Sequence, residues 1–168
     1  MTAEARKVVT LIAEIAAERA ALDDQHRRVC AALDQPTWAP EDPTLSVVAV
    51  ALHHYYGAAE SIFERVARCF EGAPDPGSRW HQDLLERMAL DLTGIRPALV
   101  SPGTRVALRE LLGFRHFFRD AYAVTLDAGR LRERAEALGP LHRALCAELD
   151  GFEGTLRAAV GDDGDRGA

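Results

Sequence analysis

Cysteine is scarce in this sequence, and nothing in its spacing suggests a cross-link. Three cysteines are present, Cys30, Cys69 and Cys146, and they lie far apart without any CxxC pair. An odd number at this spacing excludes both a disulfide framework and a zinc finger. It is typical of buried thiols in a reducing compartment.

Histidine also shows no ligand pattern. His53 and His54 are adjacent, so on a helix their side chains would point about 100° apart and could not chelate one ion together. His26 and His142 stand alone in the sequence, and His81 follows Trp80 as an interface or capping residue would. We therefore expect no metal site and no cofactor.

Several other patterns are missing from the chain. It has no Gly-rich phosphate loop, no internal repeat and no apolar run long enough to span a bilayer. Its first twenty residues alternate charged and apolar side chains, without the apolar core of a signal peptide. We expect a cytoplasmic protein that does not enter a membrane.

β-Branched runs are scarce, whereas the strong helix formers Ala, Leu, Glu and Arg dominate. Apolar residues recur at intervals of three and four, which predicts an all-α fold, an antiparallel bundle of about five helices. The residues 1–160 would form one domain, followed by a disordered acidic tail at 161–168. The predicted helices cover about 2–34, Thr44 to Gly72, a short segment capped by Ser78, 101–126, and a last helix capped by Asp127 that Gly139-Pro140 should kink or split.

Charge is distributed unevenly along the chain. The net charge is −6, which disfavours a general nucleic-acid binder. The segment 101–143, however, carries eight arginines against five acidic residues. Such asymmetry fits either a surface that faces a polyanion or helix faces joined by ion pairs.

An arginine stands inside the apolar stripe of the predicted 101–126 helix. Arg115 lies near the centre of this stripe, with Arg119 beside it. An unpaired buried guanidinium would cost several kcal/mol. Either a carboxylate meets Arg115 inside the bundle, for which Glu60 and Glu64 are candidates, or the stripe opens there onto a water-filled groove. The apolar residues of the stripe are Leu108, Leu111, Phe118, Tyr122 and Leu126.

The same helix has a second, smaller apolar row formed by Val106, Phe117 and Val124. A helix that is apolar on two sides is often covered by another subunit, which predicts a homodimer through the 101–126 helix. The residues between the two rows, Arg109, Gly113, His116 and Asp120, would then line a cleft at the dimer seam. His116 and Asp120, four residues apart, could pair directly.

These residues could bind a phosphodiester and cleave it. Arg115 could bind the phosphate, with Arg119 and Arg109 as further RNA contacts. His116 could move protons near neutral pH. Tyr122 could stack on a base or donate a hydrogen bond. The alternative is structural, with Arg115 in an internal ion pair and His116–Asp120 as a surface pair.

At these residues the chain resembles the HepT-like toxins of the HEPN superfamily. Their motif is Arg, four residues, His, one residue, Tyr, often with a polar residue after the Arg. Arg115 and Tyr122 match it and His116 fits the polar position, but Asp120 stands where the motif has His. The stretches "HHYYGAAESIFERVARCF" and "RWHQDLLERM" resemble the family's second and third helices, and together the resemblance covers about residues 3–150.

The resemblance implies a helical bundle that dimerises with the motif helices facing each other. It implies a metal-independent endoribonuclease that belongs to a toxin–antitoxin system, with catalytic residues Arg115, His116, Asp120 and Tyr122. It also implies a nucleotidyltransferase antitoxin that transfers AMP to the motif tyrosine, here Tyr122.

Asp120 leaves two hypotheses open. A carboxylate there would repel phosphate, so catalysis could have passed to His116 and become weak or altered. Alternatively, the chain is a non-catalytic helical interaction module that is partnered with a nucleotidyltransferase.

Overall fold

The computed structural model describes residues 2–39, 41–73, 77, 79–120 and 126–165, with the side chains of 119, 120 and 162–165 excepted. Over these ranges the chain forms helices and no strand, apart from one isolated bridge between Leu92 and Arg96. The predicted all-α fold is confirmed. The helices are α1 (Ala3–Leu33), α2 (Pro43–Phe70), α3 (Trp80–Met88), α4 (Pro102–Asp120) and α5 (Ala128–Asp165).

The second helix is the centre of the fold. It packs against α1, α3, α4 and α5, and its adjacent residues Tyr55 and Tyr56 are both fully buried. Helix α1 packs on both α2 and α5. It runs antiparallel to α5, because Arg19 near its middle meets Asp150 whereas Arg132 donates to the carbonyl of Gln35, just after its end. This arrangement leaves α3 and α4 to complete the side of α2 that carries Glu60.

Local sequence signals account for several helix ends. Ser101 caps α4 as predicted, since its Oγ accepts the Thr104 N–H at 3.2 Å. Asp127 caps α5 as predicted, accepting the Arg130 N–H at 2.8 Å. After α2, Gly72 adopts a φ of +92°, a conformation that glycine tolerates without strain.

The structure corrects one predicted cap and one predicted helix break. Helix α2 is capped by Asp42, whose carboxylate accepts the Thr44 N–H at 2.8 Å, so Thr44 is inside the helix and Pro43 takes its first position. Of the kink or split predicted at Pro140, the split is wrong, because helix α5 continues through this residue. The buried leucines on either side of it, Leu138 and Leu141, hold both halves of α5 on one core and offset the lost backbone hydrogen bond.

The structure does not describe every predicted feature. Ser78, the predicted cap of the third helix, lies outside the described residues. The described part of α4 ends at Asp120, and Leu126, which was expected to end this helix, is not helical. The helical assignment of α5 extends to Asp165, within the segment 161–168. Among the described residues, no helix is both long and apolar enough to cross a membrane.

A buried arginine holds the connection between α3 and α4. The side chain of Arg96 is fully buried and donates to Glu71 at 2.8 Å. It also donates to the carbonyl oxygens of Arg87 (2.9 Å), Pro97 (3.1 Å) and Leu90 (3.2 Å). Burial raises the pKa of the Glu71 carboxyl, but the hydrogen bonds from Arg87 and Arg96 outweigh it and the net shift is downward. Glu71 thus ties the end of α2 to α3 and to the loop that leads into α4.

Candidate functional site

The arginine in the apolar stripe of α4 meets an acid inside the bundle. Arg115 Nη1 lies 3.0 Å from Oε2 of Glu60 on α2. The Arg115 side chain is 20% exposed, whereas that of Glu60 is only 6% exposed. Of the two alternatives for Arg115, the internal carboxylate is present, and Glu60 provides it. Glu64, the other candidate, pairs with Arg68.

Glu60 also binds a histidine that the sequence analysis set aside. The second carboxylate oxygen of Glu60, Oε1, lies 2.5 Å from Nδ1 of His81 in the first turn of α3. The His81 ring lies against Trp80, with ring centroids 3.8 Å apart. Its side chain is 14% exposed. His81 is thus fixed on a buried carboxylate where α3 meets α2, a contact that its place beside Trp80 in the sequence did not indicate.

The predicted catalytic histidine lies beside this pair. The ring of His116, one residue after Arg115, stands edge-on to the ring of His81 with centroids 5.4 Å apart. Glu60, His81, Arg115 and His116 therefore form one group at the junction of α2, α3 and α4, which we call the Glu60 cluster. The side chains of Arg119 and Asp120, and all of Tyr122, lie outside the described residues.

Tyr56 forms one side of the cluster. The guanidinium carbon of Arg115 lies over the Tyr56 ring, 5.6 Å from its centroid. Burial, and next the charge of Glu60, raise the pKa of the Tyr56 phenol, which therefore keeps its proton. Tyr56 Oη and Arg115 Nε are buried and have no hydrogen-bond partner among the described residues. Polar groups with unused hydrogen-bonding capacity thus lie next to the guanidinium.

The arrangement orients an imidazole for proton transfer. When the Nδ1–H of His81 donates to Glu60, Nε2 carries the free lone pair and can accept a proton. A carboxylate that fixes the tautomer and the ring of a histidine in this way is a common component of acid–base sites. The adjacent guanidinium of Arg115 can stabilise a negative charge.

The predicted RNA contact Arg109 lies away from the cluster on the α4 surface. Its side chain is 53% exposed and bonds to Glu86 of α3. The same carboxylate binds Arg105. The Arg109 guanidinium is thus accessible to solvent, and it shares the single carboxylate of Glu86 with Arg105.

The second apolar row of α4 is exposed in the isolated chain. Val106 is 50% and Phe117 51% exposed, and the space beside Gly113 is open where a side chain would begin. A cavity of about 480 Å³ adjoins this surface, with Phe117, Arg130 and Arg134 among its lining residues. The third member of the row, Val124, lies outside the described residues.

A family model described as HepT-like protein matches residues 47–156. The chain belongs to the HepT-like family. This confirms the resemblance inferred from the sequence and places the chain in the HEPN superfamily. No curated protein and no solved structure matches the chain significantly.

The matched region contains the whole Glu60 cluster of this HepT-like chain. It includes almost all of α2, both α3 and α4, and most of α5, whereas α1 lies outside it. Glu60 lies 55 residues before Arg115 and was inferred only as one of two candidate acids, whereas His81 belongs to a third helix and no motif on α4 indicated it. Membership of the family agrees with a toxin-related protein.

Proposed function

We propose that this HepT-like chain is a toxin of a toxin–antitoxin system that cleaves RNA without a metal ion. The observation that supports it is the partly exposed guanidinium of Arg115 beside two imidazoles, one of which is fixed by a buried carboxylate. Anion binding and proton transfer are the two tasks of metal-independent phosphodiester cleavage.

The reaction uses the ribose 2′-hydroxyl as the nucleophile. Nε2 of His81 accepts the 2′-OH proton as O2′ bonds to phosphorus, and the bond from phosphorus to O5′ breaks. His116 donates a proton to the departing O5′. Arg115 stabilises the charge that builds up on the phosphate oxygens. The products are a 2′,3′-cyclic phosphate and a 5′-hydroxyl, so no water is consumed in this step.

Four further residues of the proposed site are assigned from the sequence alone. Tyr122 matches the motif tyrosine and Asp120 occupies the position of the motif histidine, and Tyr122 is the residue that a nucleotidyltransferase antitoxin would modify with AMP. Arg119 and Arg109 are the proposed RNA contacts. We place the activity in the cytoplasm, where RNA and the antitoxin would be available.

The active form is proposed to be a homodimer that pairs through the 101–126 helix. The support is the exposed apolar surface around Val106 and Phe117, with Gly113 open beside it. Burying these side chains against a second copy would remove them from water. The cavity next to Phe117, with Arg130 and Arg134, would then lie beside the seam and could receive the RNA backbone.

Replacement of His81 tests the proposed base. The His81→Ala variant should cleave a labelled RNA at least about 100-fold more slowly than the wild type, both in EDTA, because general acid–base catalysis contributes at least this much. Glu60 keeps Arg115 as its partner, so the fold should survive. His54→Ala, which removes an exposed histidine from α2, is the control and should cleave at the wild-type rate. Equal rates for His81→Ala and wild type would exclude this role.

A second candidate function is a non-catalytic interaction module that is partnered with a nucleotidyltransferase. Two features favour it: Glu60 already neutralises Arg115, and Asp120 replaces the motif histidine. This candidate predicts that Asp120→His gains RNA cleavage or growth toxicity that the wild type lacks. Growth on expression and cleavage of RNA in EDTA would be compared for the two proteins. An unchanged phenotype would argue against a function lost simply through that histidine.

A further inference from the structure

Three side chains from two distant parts of the sequence meet between α1 and α5. They are Asp23 of α1 and, one turn apart on α5, His142 and Cys146. The Nε2 atom of His142 lies 3.3 Å from Oδ1 of Asp23 and 3.7 Å from Sγ of Cys146. All three donor atoms lie within 4.8 Å of one another.

These separations match a tetrahedral zinc site. Zinc bonds of about 2.1 Å to nitrogen or oxygen and about 2.3 Å to sulfur place neighbouring donors about 3.4 Å (N to O) and about 3.6 Å (N to S) apart. The measured 3.3 and 3.7 Å fall within about 0.1 Å of both values. The spacing of the donors is therefore that of a shared ion. Because Sγ of Cys146 lies 3.7 Å from Nε2 and 3.9 Å from Nδ1, a rotation of the Cys146 or His142 side chain is needed to direct Sγ and Nε2 at the same ion.

The surroundings orient His142 as a ligand. Oη of the buried Tyr55 lies 3.1 Å from its Nδ1, so the Nδ1–H can donate to Tyr55 while Nε2 lies 3.3 Å from Oδ1 of Asp23. The ring of His26 stacks on that of His142 with centroids 4.0 Å apart and holds its plane.

Access and charge also suit a cation. Asp23 is 53% exposed and borders a cavity of about 440 Å³, whose other lining residues include His26. The positively charged group next to Cys146 is the Arg19 guanidinium, which is already paired with Asp150 and with Glu153. Its positive charge is therefore compensated by two carboxylates.

We propose that Asp23, His142 and Cys146 bind one Zn²⁺, with a water molecule as the fourth ligand. A thiolate, an imidazole and a carboxylate together favour zinc over calcium or magnesium. The site links α1, which lies outside the family match, to α5. This inference does not rest on the proposed RNA cleavage.

The test is titration of the purified full chain with zinc chloride against a chromophoric chelator. We expect one zinc per chain. Cys146→Ser and His142→Gln should each weaken binding by more than about 100-fold, and Tyr55→Phe, which removes only the hydrogen bond to His142, by about 10- to 100-fold. Cys69→Ser, which changes a half-buried thiol of α2 outside the site, is the control and should bind like the wild type.

Cobalt(II) gives a second measurement that needs only the wild-type fold. A thiolate-to-cobalt charge-transfer band in the near ultraviolet is expected for wild type and for Cys69→Ser. If a ligand variant fails to fold, the wild-type stoichiometry and this band decide the question. No zinc binding by the wild type, no such band, or equal zinc affinity in folded Cys146→Ser would overturn the proposal.

Discussion

Arg115→Ala is expected to cleave RNA about 100- to 1,000-fold more slowly than the wild type, because loss of one donor to a developing negative charge costs this much in comparable sites. The structure explains why the loss should be catalytic rather than a failure to fold. Glu60 stays bonded to His81 at 2.5 Å after Arg115 is removed, so its buried carboxylate keeps a partner. The measurement is the initial rate on labelled RNA in EDTA, together with the thermal unfolding temperature of each protein.

Two further variants sharpen this prediction. Arg115→Lys keeps a positive charge beside Glu60 but loses the planar, multiply donating group, so it should recover only part of the rate. Arg157→Ala removes an arginine of α5 whose side chain is 64% exposed, and it should cleave like the wild type. If folded Arg115→Ala cleaved as fast as Arg157→Ala, Arg115 would be only a structural partner of Glu60.

Glu71→Ala is expected to lower the free energy of unfolding by about 3–5 kcal/mol, the usual cost of leaving a buried charge without its partner. The stranded charge would be Arg96, whose side chain is fully buried and which donates to Glu71 at 2.8 Å. Urea unfolding measures the change. The matched control is Glu64→Ala, since Glu64 also pairs with an arginine but that partner, Arg68, is 62% exposed. Such a surface pair contributes about 0–1 kcal/mol.

The free energy of unfolding at acidic pH is a second, independent measurement of the Glu71 contribution. The net pKa of Glu71 is lowered from its usual 4.5 by its arginine partners, which outweigh burial. Its contribution is therefore fully present above pH 4.5 and is lost as the pH falls through the lower, folded value. The difference between wild type and Glu71→Gln should shrink over that acidic range. A Glu71→Ala variant as stable as Glu64→Ala would contradict the account.

The sequence predicted the helices well because their signals are local. The caps of Ser101 and Asp127 depend on a side chain and a backbone N–H three residues further on, and both are confirmed. The cap of α2 was assigned to the wrong residue: Asp42, two residues before Thr44, accepts the Thr44 N–H and caps the helix. Pro140 shows the limit of local reasoning, because the tertiary packing of α5 on its leucines overrides the penalty of an internal proline.

The sites were harder to predict because they join several helices. An arginine in an apolar stripe must have a partner, so Arg115 and the candidate Glu60 could be inferred from the cost of a buried charge. Nothing on α3 indicated that His81 would share this carboxylate. Likewise, Asp23 and Cys146 are separated by most of the chain, and only the antiparallel packing of α1 on α5 brings them together. Periodicity gives the face of each helix but not its neighbour's register.

The most direct measurement is the identity of the ends produced when the wild-type protein acts on a labelled RNA in EDTA. The account predicts cleavage to 2′,3′-cyclic phosphate and 5′-hydroxyl ends, with DNA of the same sequence left intact because it lacks the 2′-hydroxyl nucleophile. Intact RNA after prolonged incubation, or ends that carry a 5′-phosphate, would contradict the proposal that the Glu60 cluster performs metal-independent acid–base cleavage.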